Sequence, residues 1–519
     1  MAIYLNPANN EYIETKNGQI FVDKSLLINY TNKIMKTPQK YICISRPRRF
    51  GKSTDANMLV AYYSKGCDSL ELFDNLKISE TELYQKHLNQ HNVIYLNMQS
   101  FLSKTKSVEK MIELLIRLLV REIKMAYLNL DLFDETDLSL TLDDVYVQTN
   151  QSFIFIIDEW DCIFREYEED RSAQEKYLDF LRDLLKDKPY VSLCYMTGIL
   201  PIKKYGTHSA LNMFKEVSML NPTPLEDFMG FTEKEVQDLC QKYNMDYNEM
   251  KEWYDGYQMT EELSVYNHRS VVFSLIDRKY ENYWSATETY EALQIYIDMD
   301  FDGLKDDVVK LLAGEYVYLN VNKFQNDMTT FKSKDDVLTL LIHLGYLGYN
   351  SLNQTCYIPN KEVTSSFIAS IEDSSWNETT KALLNSQALL EATWNKDEET
   401  VAKYIEEAHL DTSILTYNNE NALSYTISIA YMNARNYYTI IREMPNGKRF
   451  ADMVFIPRND KPAMIIELKW EQDVETAISQ IKEKKYPKGL EKYKDNLLII
   501  GIAYDKQTKK HTCKIEELV

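Results

Sequence analysis

Tyr41-Ile-Cys-Ile-Ser-Arg-Pro-Arg-Arg-Phe-Gly-Lys-Ser53 runs from a short uncharged apolar stretch, through an arginine-rich turn, into Gly-Lys-Ser at the head of a helical segment. Five residues of this kind, Tyr41–Ser45, suit a strand buried on both faces. A helix that starts directly behind a turn offers unpaired backbone N–H groups and the positive end of its dipole to an anion. In that arrangement Gly51 permits close backbone approach, Lys52 reaches the outer phosphates of a nucleoside triphosphate, and the Ser53 hydroxyl ligates Mg²⁺. One position departs from G-x-x-x-x-G-K-[ST]: its first glycine is Arg46. Gly-Lys-Ser alone is also compatible with a surface loop that precedes a helix.

A second stretch, Phe153-Ile-Phe-Ile-Ile-Asp-Glu159, is an apolar strand that ends in two adjacent carboxylates. A strand this apolar is buried along its length, so Asp158 emerges at its carboxyl end, where ligands of open α/β sheets bind. There Asp158 would hold Mg²⁺ through water and Glu159 would polarise the attacking water. The other reading has a helix beginning at Asp158, with the two acids as first-turn charges. A third strand ends Tyr195-Met-Thr-Gly198, placing Thr197 as a γ-phosphate sensor or simply as a threonine at a strand end.

Outward from these motifs, strands over Tyr41–Ser45, Val93–Asn97, Phe153–Asp158, Val191–Met196 and Lys215–Met219 alternate with helices over Thr54–Ser64, Val108–Ala126 and Gln174–Lys186. Buried strands separated by helices predict an α/β class with a mostly parallel sheet covered on both faces. Thr232-x-x-Glu235 is a capping box that opens a helical lid reaching about Tyr254. The expected division is a P-loop domain over 1–285, a mainly helical connector over 286–410, and a separate α/β domain over 411–519. Within the connector, Asp336–Gly345 reads as a helix, followed by strands Tyr346–Leu352 and Thr355–Ile358 around Asn353-Gln354. Helix then hairpin is compatible with a winged-helix module and equally with a bundle carrying a surface hairpin.

Phe21-Val-Asp-Lys-Ser25, Arg46-Pro-Arg-Arg-Phe-Gly-Lys-Ser53, Ile157-Asp-Glu-Trp-Asp161, Thr197-Gly198 and Trp253-Tyr-Asp-Gly-Tyr257 together resemble the bacterial AAA-ATPase-like family over about residues 10–290. In that family the arginine-rich turn replaces the usual glycine. The resemblance implies an ATP site in which Arg46, Arg48, Arg49 and Thr54 join Gly51, Lys52, Ser53, Asp158 and Thr197, with Glu159 as catalytic acid. After Tyr266-Asn267 the family usually has proline, whereas this chain has His268.

The tail carries a second constellation: Arg449-Phe-Ala-Asp452-Met-Val-Phe-Ile-Pro457, a polar turn, then Pro462-Ala-Met-Ile-Ile-Glu467-Leu-Lys469-Trp470. Two apolar runs about a short turn predict a β-hairpin. A turn centred between Asn459 and Asp460 sets Asp452 opposite Glu467, with Cβ atoms about 5 Å apart. Alternation puts Lys469 on the face of Glu467. Two carboxylates and a lysine then converge, and burial among Val, Ile and Met is relieved by a Lys469 ion pair or by a hard cation such as Mg²⁺. An exposed hairpin with a cross-strand ion pair is the alternative. The D-x(14)-E-x-K pattern resembles the PD-(D/E)XK nuclease superfamily over about residues 410–515, in the subfamily often fused to the ATPase above. The resemblance implies Glu420 of the preceding helix as a further metal-site acid, with Gln480 and Tyr486 on the following helix completing the site. Ala451 replaces the proline of the superfamily's name.

Lys plus Arg number 59 against 79 Asp plus Glu, a formal net charge of −20, so a general polyanion binder is excluded and any nucleic-acid contact needs a local basic surface. Lys482, Lys484, Lys485, Lys488, Lys492 and Lys494 offer one, tempered by Glu483, Glu491 and Asp495; a solvated helix face explains the same run. No apolar run approaches the ~20 residues that span a bilayer, and no signal peptide is recognisable at the N-terminus. The seven cysteines lie far apart without a C-x-x-C pair, which fits a reducing cytoplasm, and the seven histidines lack metal-ligand spacing. The leading expectation is an ATP-binding and ATP-hydrolysing protein with a Mg²⁺- or Mn²⁺-dependent nuclease domain acting on DNA. An arginine supplied in trans would require a homo-oligomer. Two other classes remain in view: an ATP-dependent switch or scaffold that binds nucleic acid or a partner without cutting, and a winged-helix regulator centred on residues 330–365.

Overall fold

The computed structural model describes residues 2–202, 211–284, 290–299, 301, 303–312, 314–325, 328–329, 331–372, 377–411, 423, 426–428, 430–446, 449–458, 461–483, 490, 493–494, 496–508 and 510–517. The chain forms two compact units, Met1–Thr289 with Tyr318–Ser365, and Tyr290–Val317 with Ser366–Val519. Residues 286–410 are thus shared between the two units.

The first unit is built on strands β1 (Tyr41–Ser45), β2 (Asn92–Asn97), β3 (Phe153–Asp158), β4 (Val191–Gly198) and β5 (Lys215–Val217), in the spatial order β2-β3-β4-β1-β5. All four pairings are parallel. β1, β3 and β4 are buried at every position, because helices cover both faces of the sheet. Ile42, Ile44, Ile154 and Ile156 share one core with Ala56, Leu59 and Tyr63 of the helix Lys52–Tyr63. β4 runs two residues beyond the expected Met196, and its end pairs with that of β1, Ser45 opposite Gly198. The order of strands therefore lines up the carboxyl ends of β3, β4 and β1, and any ligand bound there meets all three.

Beyond β5, Thr232 and Glu235 form the reciprocal capping box of the helix Glu233–Tyr243. A three-stranded sheet from Phe231–Thr232, Ser264–Tyr266 and Tyr257–Gln258 leads into the helix His268–Asp277, capped by the Asn267 side chain. The helix Lys334–Leu344 stops at Gly345, whose φ of +90° is left-handed; a Cβ there would lie 2.6 Å from Trp284 and 2.8 Å from Pro47. The antiparallel strands Gly348–Asn350 and Thr355–Tyr357 follow.

In the second unit, strands Tyr438–Asn446, Arg449–Pro457, Ala463–Trp470, Leu497–Asp505 and Lys510–Glu517 lie side by side in chain order. All neighbours are antiparallel except Ala463–Trp470 with Leu497–Asp505, which the helix Val474–Glu483 joins as a crossover. Val454, Ala463, Ile465, Leu497 and Ile499 pack under Ile478 and Ile481 of that helix, while Phe455 on the other face meets the rings of Tyr431 and Tyr438. The hairpin is covered on both sides, as its apolar strands require.

Candidate functional site

The turn after β1 is shaped by two left-handed residues, Arg49 at φ +70° and Gly51 at φ +89°, the latter capping the helix Lys52–Tyr63. Gly51, Lys52, Ser53 and Thr54 line a cleft of about 410 Å³, within the range of small-ligand sites. Arg48, Arg49 and Glu159 line its sides, and His268 and Arg269 face it from the helix His268–Asp277. Lys52 is buried, and its Nζ donates to the carbonyls of Arg46 at 2.9 Å and Pro47 at 2.8 Å, which folds the lysine over its own turn. Burial pulls its pKa down, opposed by the nearby Glu159, Asp161 and Asp158. Arg46 lies off the cleft wall. It is fully buried, donates from Nη1 to the Ser45 carbonyl at 3.2 Å, and is pushed down to about 10 by that burial.

Asp158 gathers the three strand ends. It accepts from the Ser53 hydroxyl at 2.8 Å, from the Thr197 hydroxyl, and from Asn97 Nδ2 at 3.5 Å. Glu159 adopts φ +56° and pairs with Arg165; burial raises its pKa and Arg165 opposes the rise. Arg165 also reaches Asp161 at 3.3 Å, and Asp161 accepts the amides of Ile199 and Leu200 at 3.0 and 2.8 Å, tying the β3 exit to the β4 exit. Asn97, Arg165 and Arg269 escaped the sequence reading, and His268 stands in that reading only as a departure from the family's proline, with no role in the site. Asn97 had a signal, a polar residue closing an apolar strand, and in the sheet it pairs directly with Asp158. The cleft position of Arg269 has no counterpart in the local sequence.

In the second unit the hairpin register pairs Met453 with Ile466 and Val454 with Ile465; one step further sets Asp452 opposite Glu467. Asp452 Oδ2 accepts the Leu468 amide at 2.7 Å. The helix-facing side of these strands changes character along its length: Ala463 and Ile465 are core, and Glu467 and Lys469 continue the same face. Glu467 is 1% exposed, accepts from Lys469 Nζ at 3.2 Å and also from Gln480 Nε2. Gly501, the neighbour of Glu467 in the sheet, makes the last contact possible: a Cβ there would lie 3.0 Å from Ala477 Cβ and from the Val474 carbonyl, so its absence lets the Gln480 helix sit close. Asp452, Glu467, Lys469 and Gln480 are thus brought together, while Glu420 and Tyr486 lie outside the described residues. Among the described residues no group of three or more His, Cys, Asp or Glu is disposed to hold a metal ion.

Residues 9–207 match the family described as predicted AAA-ATPase, and residues 418–514 match the PD-(D/E)XK nuclease superfamily. The two matches lie on one chain in the order of the fusion that its motifs resemble. A protein of Azotobacter chroococcum mcd 1, described as an uncharacterized protein in the vnfD 5′ region, is 22% identical over 253 residues, 47% of each chain. This chain therefore spans about half the length of that curated relative. Two solved structures, the Aeropyrum pernix ORC2 protein in ADPNP–ADP complexes and CDC6P from Pyrobaculum aerophilum, align at 10% identity over 67% of this chain and 94% and 93% of theirs, with TM-scores of 0.23 and 0.25. Among the described residues no helix is long and apolar enough to cross a membrane.

Proposed function

We propose that the AAA-ATPase portion binds and hydrolyses ATP in the cleft over Gly51–Thr54, and that the nuclease-superfamily portion cuts phosphodiester bonds, in DNA, at Asp452, Glu467 and Lys469. The observation that carries the reading is the convergence of Asp452, Glu467, Lys469 and Gln480 on one face of a sheet otherwise filled with aliphatic side chains. The burial of Glu467 is offset by Lys469 and Gln480, which hold its carboxylate in place beside Asp452. Both tail acids are oxygen donors, the ligand type that hard divalent ions take. Mg²⁺ or Mn²⁺ held by Asp452 and Glu467, with Glu420 as a further acid, would polarise a phosphoryl oxygen and lower the pKa of a bound water. Gln480 orients the Glu467 carboxylate, and the Lys469 ammonium steadies negative charge that develops on the phosphoryl oxygens.

In the cleft, Lys52 exchanges its two carbonyl partners for the outer phosphates, with Arg48 and Arg49 adding positive charge at the rim. Ser53 and Asp158 would hold the nucleotide's Mg²⁺, Thr197, bonded to Asp158, would stand beside it as a sensor of the γ-phosphate, and Glu159 would polarise the attacking water once it leaves Arg165. All seven cysteines are free thiols, which suits a cytoplasmic setting; a homo-oligomer would supply an arginine in trans.

The deciding experiment is plasmid nicking by the purified chain with Mg²⁺ or Mn²⁺. Wild type should nick, and Asp452→Ala and Lys469→Ala should not. Cutting that persists in both variants sinks the assignment. A wild type that binds ATP, shifts a DNA probe and never cuts favours a nucleotide-dependent switch.

A further inference from the structure

The proposed cleft is held from behind by a residue far from every motif. Glu362, fully buried, accepts the backbone N–H groups of Tyr283 and Trp284 at 2.8 and 2.9 Å through Oε1, and the Ser270 hydroxyl at 2.9 Å through Oε2. The Tyr283 and Trp284 carbonyls accept from Arg49 Nη1 at 3.4 and 3.2 Å. Burial raises the Glu362 pKa to about 7, so above that pH one peptide unit lies between two charges: its N–H, from Trp284, points to the Glu362 carboxylate, and its C=O, from Tyr283, points to the Arg49 guanidinium. A negative charge at the N–H end polarises the amide and makes its oxygen a stronger acceptor. The other Glu362 oxygen reaches the first turn of the helix His268–Asp277, where the buried Asn267 side chain also accepts the Ser270 amide at 3.1 Å. That turn presents His268 and Arg269 to the cleft. Trp284 is packed closely against Gly345, which in turn abuts Pro47 of the phosphate-binding turn, so the segment has little room to move independently.

We propose that Glu362 is a positioning residue of the nucleotide site: it fixes the peptide that anchors Arg49 on one wall of the cleft and the helix start that carries His268 and Arg269 on the other. This inference rests on reading the cleft as the ATP site. Its consequence is that a side chain over three hundred residues from the Gly-Lys-Ser turn sets nucleotide affinity without touching nucleotide. Glu362 begins the helix Lys361–Glu372, so any displacement of that helix would be felt at both cleft walls at once.

The test is equilibrium titration of the full chain at pH 8.5, where Glu362 is ionised, with a fluorescent ATP analogue and Mg²⁺, using Lys52→Ala, Arg49→Ala, Glu362→Gln and the Arg49→Ala/Glu362→Gln double variant. Glu362→Gln keeps an acceptor at both amides and removes the charge. We expect Arg49→Ala and Glu362→Gln each to weaken binding about tenfold, the scale of one charge-assisted hydrogen bond, and the double variant to lose clearly less than the product of the two, because part of the Glu362 effect passes through Arg49 and only the rest through the helix that carries His268 and Arg269. Losses that multiply in the double variant, or a Glu362→Gln protein within twofold of wild type, overturn the proposal while leaving the ATP site intact. Unchanged binding in Lys52→Ala removes the ATP site itself, and this inference with it. If Glu362→Gln fails to fold, Ser270→Ala, which removes one donor to the same carboxylate, should weaken binding about threefold, and an unchanged affinity there counts against the role.

Discussion

The Ser53 hydroxyl donates to Asp158 at 2.8 Å across a separation of 105 residues. The contact exists because β4 alone separates β1 from β3, so the turn that follows β1 looks directly onto the end of β3. A hydroxyl and a carboxylate already in contact are placed to share a divalent ion bound with a nucleotide.

Ser53→Ala should therefore weaken ATP binding about tenfold in the presence of Mg²⁺ and by less than twofold in EDTA, since only the metal-linked part of the affinity passes through the hydroxyl. Calorimetric titration in both conditions reads this directly. Equal losses with and without metal would argue against Ser53 as a ligand.

Glu159→Gln should retain nucleotide binding and lose at least about a hundredfold in phosphate release, the usual weight of a positioned general base. The neutral amide still fits beside Arg165, so folding should survive. A variant with wild-type turnover would leave Glu159 as the charge partner of Arg165 and nothing more.

In the tail, Gln480→Ala should slow nicking about tenfold, because Glu467 loses the donor that orients it but keeps Lys469. Glu467→Ala should do more than abolish nicking. It leaves the buried Lys469 ammonium without its carboxylate, a change that costs about 3 kcal/mol in comparable buried pairs, visible as a lower denaturant midpoint.

Gly501→Ala tests how closely the Gln480 helix must sit. The added methyl would meet Ala477 Cβ and the Val474 carbonyl, both at 3.0 Å, and the helix must shift by some tenths of an ångström. Overpacking of this kind costs about 1–3 kcal/mol. We expect a lower unfolding midpoint together with slower nicking; a loss of stability with normal nicking would show that the Glu467–Gln480 contact tolerates the shift.

Acid should destabilise the first unit through His91. Burial, and then the neighbouring His87, Lys36 and Lys65, depress its pKa to about 4, against about 6.5 in an unfolded chain. The folded state therefore disfavours the proton. Its contribution to stability is complete above pH 6.5 and is lost as pH falls through about 4. Unfolding midpoints measured from pH 7 to pH 4 should fall less steeply in His91→Asn than in wild type, and parallel curves would exclude the histidine as a source of the slope.

The first unit was legible as far as local chemistry reaches. Tyr41–Ser45 and Phe153–Asp158 fold as read because an uncharged apolar run has nowhere to go but the inside of a sheet. Thr232 and Glu235 cap a helix because the box is satisfied within four residues. The hairpin register in the tail followed from counting residues about a turn, since alternation in a strand admits one phase. Strand ends were harder: β4 continues through Thr197 and Gly198, because β1 supplies pairing partners beyond the last apolar side chain.

The amino-acid order alone settled the central strands of the first unit, the capping box of its lid and which side chains share a face of the tail hairpin, because each of these depends on neighbours a few positions away. Folding in three dimensions settled the rest. It brought Asn97 to Asp158, Arg165 to Glu159, Arg269 to the cleft and Glu362 behind Arg49. Such meetings depend on the order in which strands take their places in a sheet and on where later helices land, which no local pattern records.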